Sequence, residues 1–362
     1  MTRVALLTPS ITTGDAVSND VLGMYAVLKE LGHRTRIFAE GWSFDNPRIW
    51  PAPEINRFLR DPSDLLIYHY SRGWDFGVKL LSERKWRTAI KYHNVTPPEF
   101  FVDFSKDFAR MCQDGRNQLP FIASVGCDVY MSASAYNESE LLQWGTPESR
   151  SFVVPPFHHT ARLKEVQTDP QILKSYDDGK TNILMVGRVA PNKNHSALIE
   201  AFAAYYHDYN SDSRLFIVGK EESRLTTYNQ WLRKVAAHLK VDHAVVFAGE
   251  VSDEELKAYY SLADVFMITS EHEGFCVPLV EAMSMKIPIV AYATSAIPGT
   301  VKDAGLVWKE KNPYLMAESV NSIVKGADVS KSLGERGWRR YDQNFTNEKI
   351  RSKFLTALSG LL

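Results

Sequence analysis

The stretch Ser270-Glu271-His272-Glu273-Gly274-Phe275-Cys276-Val277-Pro278-Leu279-Val280-Glu281-Ala282-Met283 follows the apolar run Ala263-Asp264-Val265-Phe266-Met267-Ile268-Thr269. Together they read as a buried parallel strand feeding a turn and then a helix. Glu273 falls in the turn, and Glu281 falls about two helical turns further on. The backbone N–H groups of Gly274, Phe275 and Cys276 open that helix, and such a terminus attracts anions. Carboxylates accept hydrogen bonds from hydroxyls, so a polyhydroxylated ligand carrying phosphates suits the pattern. By itself the turn is also compatible with Glu281 as a solvated residue of an amphipathic helix.

Upstream, Thr181 to Val189 starts an alternation of strand and helix. The loop Ala190-Pro191-Asn192-Lys193-Asn194 opens a long helix through His195 to Phe202, which places Arg188 and Lys193 on either side of one strand-to-helix turn. A rigid guanidinium fork and a mobile ammonium can together neutralise a diphosphate, although a surface cation pair at a turn reads the same way. Strands are expected again at Leu215 to Gly219, Ala244 to Gly249 and Ile287 to Tyr292. Helices are expected near Leu225 to Leu239, Asp253 to Leu262, Pro313 to Gly326, Ser330 to Phe345 and Asn347 to Leu361. This repetition predicts a doubly wound α/β domain whose loops after Val189, Val218, Phe247 and Thr269 gather along one edge.

The first half repeats the scheme. A strand from Met1 to Ser10 leads through Thr12-Thr13-Gly14-Asp15-Ala16-Val17-Ser18-Asn19-Asp20 to a helix from about Val21 to Leu31 and a strand at Thr35 to Glu40. No G-x-G-x-x-G follows the first strand, which disfavours a nicotinamide dehydrogenase. Further strands are expected at Leu65 to Tyr70, Thr88 to Tyr92 and Asp128 to Ser132, with a helix from Ala135 to Trp144. His93 therefore stands at a strand's carboxyl end, either against a ligand or as a core imidazole. Glu99 to Phe104 is expected to lead a helix. Basic residues Lys79, Arg84, Lys85, Arg87 and Lys91 around Trp86 read either as a solvated face or as a peripheral membrane contact. Phe152 to His159, with Pro155 and Pro156, reads as the connection between domains. His158 and His159 lack the spaced partners of a zinc site.

Composition agrees with two globular domains. The chain has 362 residues, 42 basic against 43 acidic, and a formal net charge of -1, so nothing calls for nucleic acid as a partner. Cys112, Cys127 and Cys276 are widely spaced, which points to a reducing cytoplasm and no structural zinc. No signal peptide and no membrane-spanning run is apparent. No D-x-D occurs.

Three blocks carry a specific likeness: G-R-V-x-x-N-K-N at Gly187 to Asn194, F-A-G-E-V at Phe247 to Val251, and the Ser270 to Met283 stretch. In order and spacing they resemble the retaining glycosyltransferases of family 4, whose fold is GT-B, with two Rossmann-like domains facing each other across a cleft. The loops Gly14 to Asp20 and Tyr92 to Pro98 are similar, more loosely, to those of bacterial polysaccharide and O-antigen mannosyltransferases of that family. The resemblance implies an acceptor domain over 1–156, a nucleotide-sugar domain over 157–345, and a final helix, 346–362, packing back on the first. It implies that Arg188 and Lys193 hold the donor diphosphate and that Glu273 bonds the sugar hydroxyls beside the N–H groups of Gly274, Phe275 and Cys276. Glu281 would take the ribose, and Phe247 to Glu250, Gly249 among them, would border the base. Gly14 would approach the donor phosphates, His93 would face the transferring sugar, and Asp15, Asp20 and Asn94 would meet the acceptor. Two departures stand out: Gly14 has Asp15 beside it where the family often has a second Gly, and Cys276 sits where Gly is usual. The implied reaction moves a hexose from GDP-mannose or a UDP-sugar to a saccharide or lipid-linked saccharide, with no metal or other cofactor. A small-molecule glycosyltransferase, a sugar phosphorylase and a non-catalytic sugar-nucleotide binder are the alternatives.

Overall fold

A computed structural model describes residues 2–83 and 85–362. Arg84, one of the basic residues near Trp86, lies outside the described residues. The chain forms two compact units. One draws on the chain up to Glu99, on Asp107–His159 and on Thr346–Leu362; the other contains Phe100–Lys106 and Thr160–Phe345.

In the first unit, β1 (Arg3–Ile11), β2 (Arg34–Trp42), β3 (Ile49–Pro51), β4 (Leu65–Tyr70), β5 (Arg87–Tyr92), β6 (Val129–Ser132) and β7 (Ser151–Val153) form one sheet, ordered β3-β2-β1-β4-β5-β6-β7. In the second, β8 (Thr181–Val186), β9 (Ser213–Val218), β10 (Val245–Gly249), β11 (Val265–Ile268), β12 (Ile289–Tyr292) and β13 (Gly305–Trp308) are ordered β10-β9-β8-β11-β12-β13. Pairing is parallel throughout both. Each sheet is therefore doubly wound, and the strand order reverses between β1 and β4 and between β8 and β11. In such sheets ligands bind at the carboxyl ends of the strands flanking that reversal. Two Rossmann-like sheets bear out the α/β fold class expected from the sequence.

Where the elements depart from expectation, the reasons are local. The first helix starts at Ala16 rather than near Val21, because the Asp15 carboxylate accepts from Ser18 N at 2.9 Å and caps it. Ser151–Val153, expected to begin a connection, pairs with β6 as an edge strand before the prolines stop it. From Pro98 the chain makes a short helical turn, Pro98–Phe100, and a further turn closed by Ser105 N on the Phe101 carbonyl at 2.8 Å, and the helix begins at Lys106. The Phe104 ring packs at 5.0 Å from Tyr228 and 6.0 Å from Trp231, within the second unit. β3 and β13, three and four residues long, were too short to show as apolar runs.

The helix Asn347–Ala357 belongs to the first unit. Ile350, Phe354 and Leu358 are fully buried in one core with Val4, Val21, Met24 and Phe157. Phe354 meets Phe157 edge to face at 6.0 Å, and Arg351 forks onto Glu30 at 2.6 and 2.8 Å. Truncating a buried Phe removes that contact and leaves a void. Phe354→Ala is expected to cost about 3–5 kcal/mol. A urea denaturation midpoint equal to that of the parent chain would contradict this packing.

Candidate functional site

The site is assembled where β8 and β11 part. The loop after β8 and the loop after β11 are stitched by two asparagines. The Asn192 carbonyl accepts from Glu271 N at 2.9 Å and His272 N at 3.3 Å, while its amide donates to the His272 carbonyl at 3.1 Å. Asn194 adopts a left-handed conformation, φ 49°, caps the helix His195–Asp208, and donates to Glu271 Oε1 at 2.8 Å. Thr269 Oγ1 donates to the Asn194 carbonyl at 2.9 Å. Between these anchors Lys193 Nζ reaches Glu273 Oε1 at 2.6 Å. Glu273 is itself held from the loop after β12, since its N–H donates to Ser295 Oγ at 2.7 Å.

Arg188 leaves the same β8 loop and is about half exposed, with Nη1 3.9 Å from Glu222 Oε1. A guanidinium this loosely engaged is available to an anion. Beside it the backbones of two loops cross closely: Gly219 N bonds the Gly249 carbonyl at 2.8 Å, and a Cβ on Gly219 would run into the Gly187 carbonyl. Only glycine fits there.

The helix Val277–Ser284 begins after Cys276, which takes φ 73°. That left-handed conformation is costly for a residue with a side chain and accounts for glycine being usual there. The N–H groups of Gly274, Phe275 and Cys276 have no acceptor in the protein among the described residues. The Phe275 ring is buried against Phe345 at 5.5 Å, so this residue offers a ligand only its backbone. Burial, then the Glu273 carboxylate, pushes the Cys276 thiol well above its ordinary value, so it stays protonated. Glu281 accepts from Tyr260 Oη at 2.6 Å, and burial raises its carboxyl to about 7 against that bond. Phe247 is half-buried beneath the Arg233 guanidinium, 4.5 Å above its ring; Gly249 has φ 73°, and Glu250 is exposed, 3.8 Å from Lys220. Thus the structure gathers Lys193 and Glu273 into direct contact, places Arg188 on the same loop as Lys193, and sets Glu281 on the adjoining helix.

In the first unit, Gly14 has φ 75° in the turn after β1, with nothing around the place of its Cβ. Three side chains expected to meet an acceptor are engaged in the protein instead. The Asp15 carboxylate is the helix cap, accepting Ser18 N and Oγ at 2.9 Å each. The Asn94 amide donates to Glu140 at 2.6 Å and Asn137 at 2.9 Å, inside a network that Arg116 joins through Glu140 at 2.7 Å. Asp20 is fully buried and faces inward: Oδ1 accepts from Phe157 N at 2.8 Å, and Oδ2 lies 3.6 Å from Lys91 Nζ. Lys91, also fully buried, donates to the Val154 carbonyl. Burial drives the Asp20 carboxyl up and the Lys91 ammonium down, and each one's opposite charge resists.

His93 Nε2 sits 3.0 Å from His69 Nδ1 and 3.6 Å from Asp20 Oδ2. Burial lowers His69 to about 3 and His93 well below its ordinary value, so both rings are neutral. Asp20, His69 and His93 approach as closely as the ligands of a divalent ion, their donor atoms within 4.8 Å of one another. The Lys91 ammonium nevertheless already balances the one carboxylate, and a second cation beside it would be repelled. Lys91, expected on a solvated or membrane-facing surface with the basic residues around Trp86, is instead fully buried, because Asp20 and the Val154 carbonyl hold its ammonium inside; His69 was not read as a site residue. The available signal was His69 and Lys91 one residue before the carboxyl ends of two neighbouring central strands. No helix among the described residues is long and apolar enough to cross a membrane.

Residues 167–340 match the family described as glycosyl transferases group 1. Mannosylfructose-phosphate synthase of Agrobacterium fabrum is 30% identical over 257 residues, covering 69% of this chain and 53% of that protein. The serotype-specific mannosyltransferase WbdA of Escherichia coli is 30% identical over 161 residues, 40% of this chain and 19% of WbdA. The chain thus spans about half, or less, of the length of these curated relatives. Among solved structures, Anabaena HepE in complex with UDP and glucose superposes with a TM-score of 0.75 at 16% identity, over 99% of this chain and 100% of that one. At that identity the likeness concerns the fold, GT-B, with its two doubly wound domains. Residues 167–340, which hold the paired loops at the strand-order reversal, thus match a glycosyl transferases group 1 domain.

Proposed function

We propose that the chain is a retaining glycosyltransferase that moves a hexose from a nucleotide diphosphate sugar to a saccharide or lipid-linked saccharide. The observation that carries this reading is the 2.6 Å contact of Lys193 with Glu273 at the β8–β11 reversal, flanked by Arg188 and by the N–H groups of Gly274 to Cys276. Without ligand the ammonium and the carboxylate satisfy each other. A sugar diphosphate divides the pair, since phosphate oxygens compete for Lys193 and sugar hydroxyls donate to Glu273. As the carbon–oxygen bond to the diphosphate breaks, negative charge grows on the leaving oxygen. Arg188, Lys193 and the helix start are the groups that stabilise it. Glu273, already matched to hydroxyls, binds the sugar and is not assigned as a nucleophile. The acceptor hydroxyl then attacks the face from which the diphosphate departs and gives its proton to the departing phosphate oxygen, which retains configuration.

The donor reading, GDP-mannose or a UDP-sugar, is supported by the relatives: WbdA is named a mannosyltransferase, and HepE was crystallised with UDP and glucose. Phe247, under Arg233, and the Gly249 backbone are the proposed border of the base, and Glu281, aligned by Tyr260, the proposed ribose acceptor. Arg188 and Lys193 supply the positive charge that a divalent ion supplies elsewhere.

Arg188→Ala is expected to lower turnover by about 10²–10³, the scale for one transition-state charge contact. Transfer from radiolabelled nucleotide sugars to a panel of saccharide acceptors measures this, and near-parental kcat would overturn the assignment. Activity should survive exhaustive chelation; loss that magnesium or manganese restores would refute a metal-free reaction. Glu281 yields a third expectation. Its folded-state value of about 7 exceeds its ordinary 4.5, so its favourable share of stability is present below 4.5 and lost as pH rises through 7. Glu281→Gln should therefore abolish a decline on the order of 1–3 kcal/mol between those pH values, read by denaturant titration. An unchanged pH slope would contradict the raised carboxyl.

A further inference from the structure

We propose that His69 is a positioning residue for His93. Its Nδ1, 3.0 Å from His93 Nε2, fixes the plane and tautomer of that ring, so that His93 presents Nδ1 as a hydrogen-bond acceptor to a sugar hydroxyl at the carboxyl edge of the first sheet. The inference rests on the reading that the chain binds sugar substrates and that His93 faces one.

The argument begins with which members can meet a ligand. His69, Lys91 and Asp20 have side chains with no exposure, while that of His93 is 7% exposed. The cluster therefore touches a ligand through His93, and the other three act through it. The rings lie nearly parallel, 19° apart with centroids 5.2 Å apart, so their facing nitrogens share one proton along the ring edges.

Where that proton sits follows from the neighbours. Asp20 Oδ2 lies 3.6 Å from His93 Nε2 and accepts no hydrogen bond of ordinary length among the described residues. A lone pair on His93 Nε2 would face that carboxylate, whereas an N–H there donates to His69 Nδ1 and leans toward Asp20. The second arrangement is electrostatically preferred. It places the His69 proton on Nε2, a buried position with no partner among the described residues. That orphan donor is the cost of fixing the tautomer, and buried N–H groups left unpaired are rare enough to mark a functional demand. Lys91 completes the device. By balancing Asp20 from 3.6 Å it leaves the pocket without net charge, and neither imidazole is drawn into becoming a cation. His93 Nδ1 is then a lone pair held in place, able to orient a hydroxyl without taking its proton.

The test has two arms. In the parent protein, labelled with nitrogen-15 histidine, long-range proton–nitrogen correlation should show His93 protonated on Nε2 only, with its peaks identified by their loss in His93→Gln. An Nδ1–H tautomer, or a mixture of the two, overturns the proposal. This arm needs no activity, so it stands even if no nucleotide sugar is ever turned over, an outcome that would instead defeat the functional reading. In the kinetic arm, His69→Leu should lower kcat at least tenfold while donor KM stays within twofold. His69→Asn, whose amide oxygen can stand near the Nδ1 position, should recover most of the loss. Parental kcat in a folded His69→Leu, or equal losses in both variants, would show a structural role only and overturn it. Should His69→Leu fail to fold, His69→Asn compared with the parent, together with the tautomer, decides the matter.

Discussion

The second unit's chemistry depends on bridging a gap that its topology creates. β8 and β11 are neighbours in the sheet, yet the chain leaves them toward opposite faces, and no helix or loop runs directly from one to the other. Asn192 and Asn194 close the gap with backbone and short amide groups, which have little freedom to lose. Lys193, between them, carries a long and mobile stem. Its contact with Glu273 is narrow in geometry because the residues on both sides are pinned, not because lysine is rigid.

The two units handle charge differently at equivalent edges. In the second, Arg188 and Lys193 retain access to solvent, while Glu273 is buried beneath the Lys193 ammonium. In the first, Asp20 and Lys91 are withdrawn completely, and their pairing cannot be answered by water. Buried ion pairs seldom repay their desolvation in stability and are best understood where they fix one arrangement over others. Here the arrangement fixed is that of two neutral imidazoles.

Much of the fold was legible because central strands of parallel sheets are apolar, as Val265–Ile268 is throughout and Leu65–Tyr70 is but for His69, and because the turn residues after them are not. Arg188, Lys193, Glu273 and Glu281 were legible for the same reason: their loops follow unmistakable strands. What stayed hidden depends on partners distant in sequence. Gly14 to Asp20 looked like a polar loop, yet Ser18 and Asp20 are buried helical residues, and only the Asp15 cap at its start explains where the helix begins. Asp20 finds Lys91, and His69 finds His93, only when β4 and β5 lie side by side with the first helix over them. Asn94 looked available because it follows a strand end, but Glu140 and Asn137 hold its amide.

The helix Asn347–Ala357 supplies Ile350 and Phe354, and Leu358 just past its end joins them, in a core otherwise built from residues up to Phe157. On the ribosome the residues up to Phe157 emerge well before this helix and lack that wall of their interior until it is translated. The second unit, drawn mainly from one contiguous span, Thr160–Phe345, has nearly all its material earlier. Synthesis and maturation thus run in opposite orders, and the nascent first unit exposes an oily groove until the helix Asn347–Ala357 arrives to fill it.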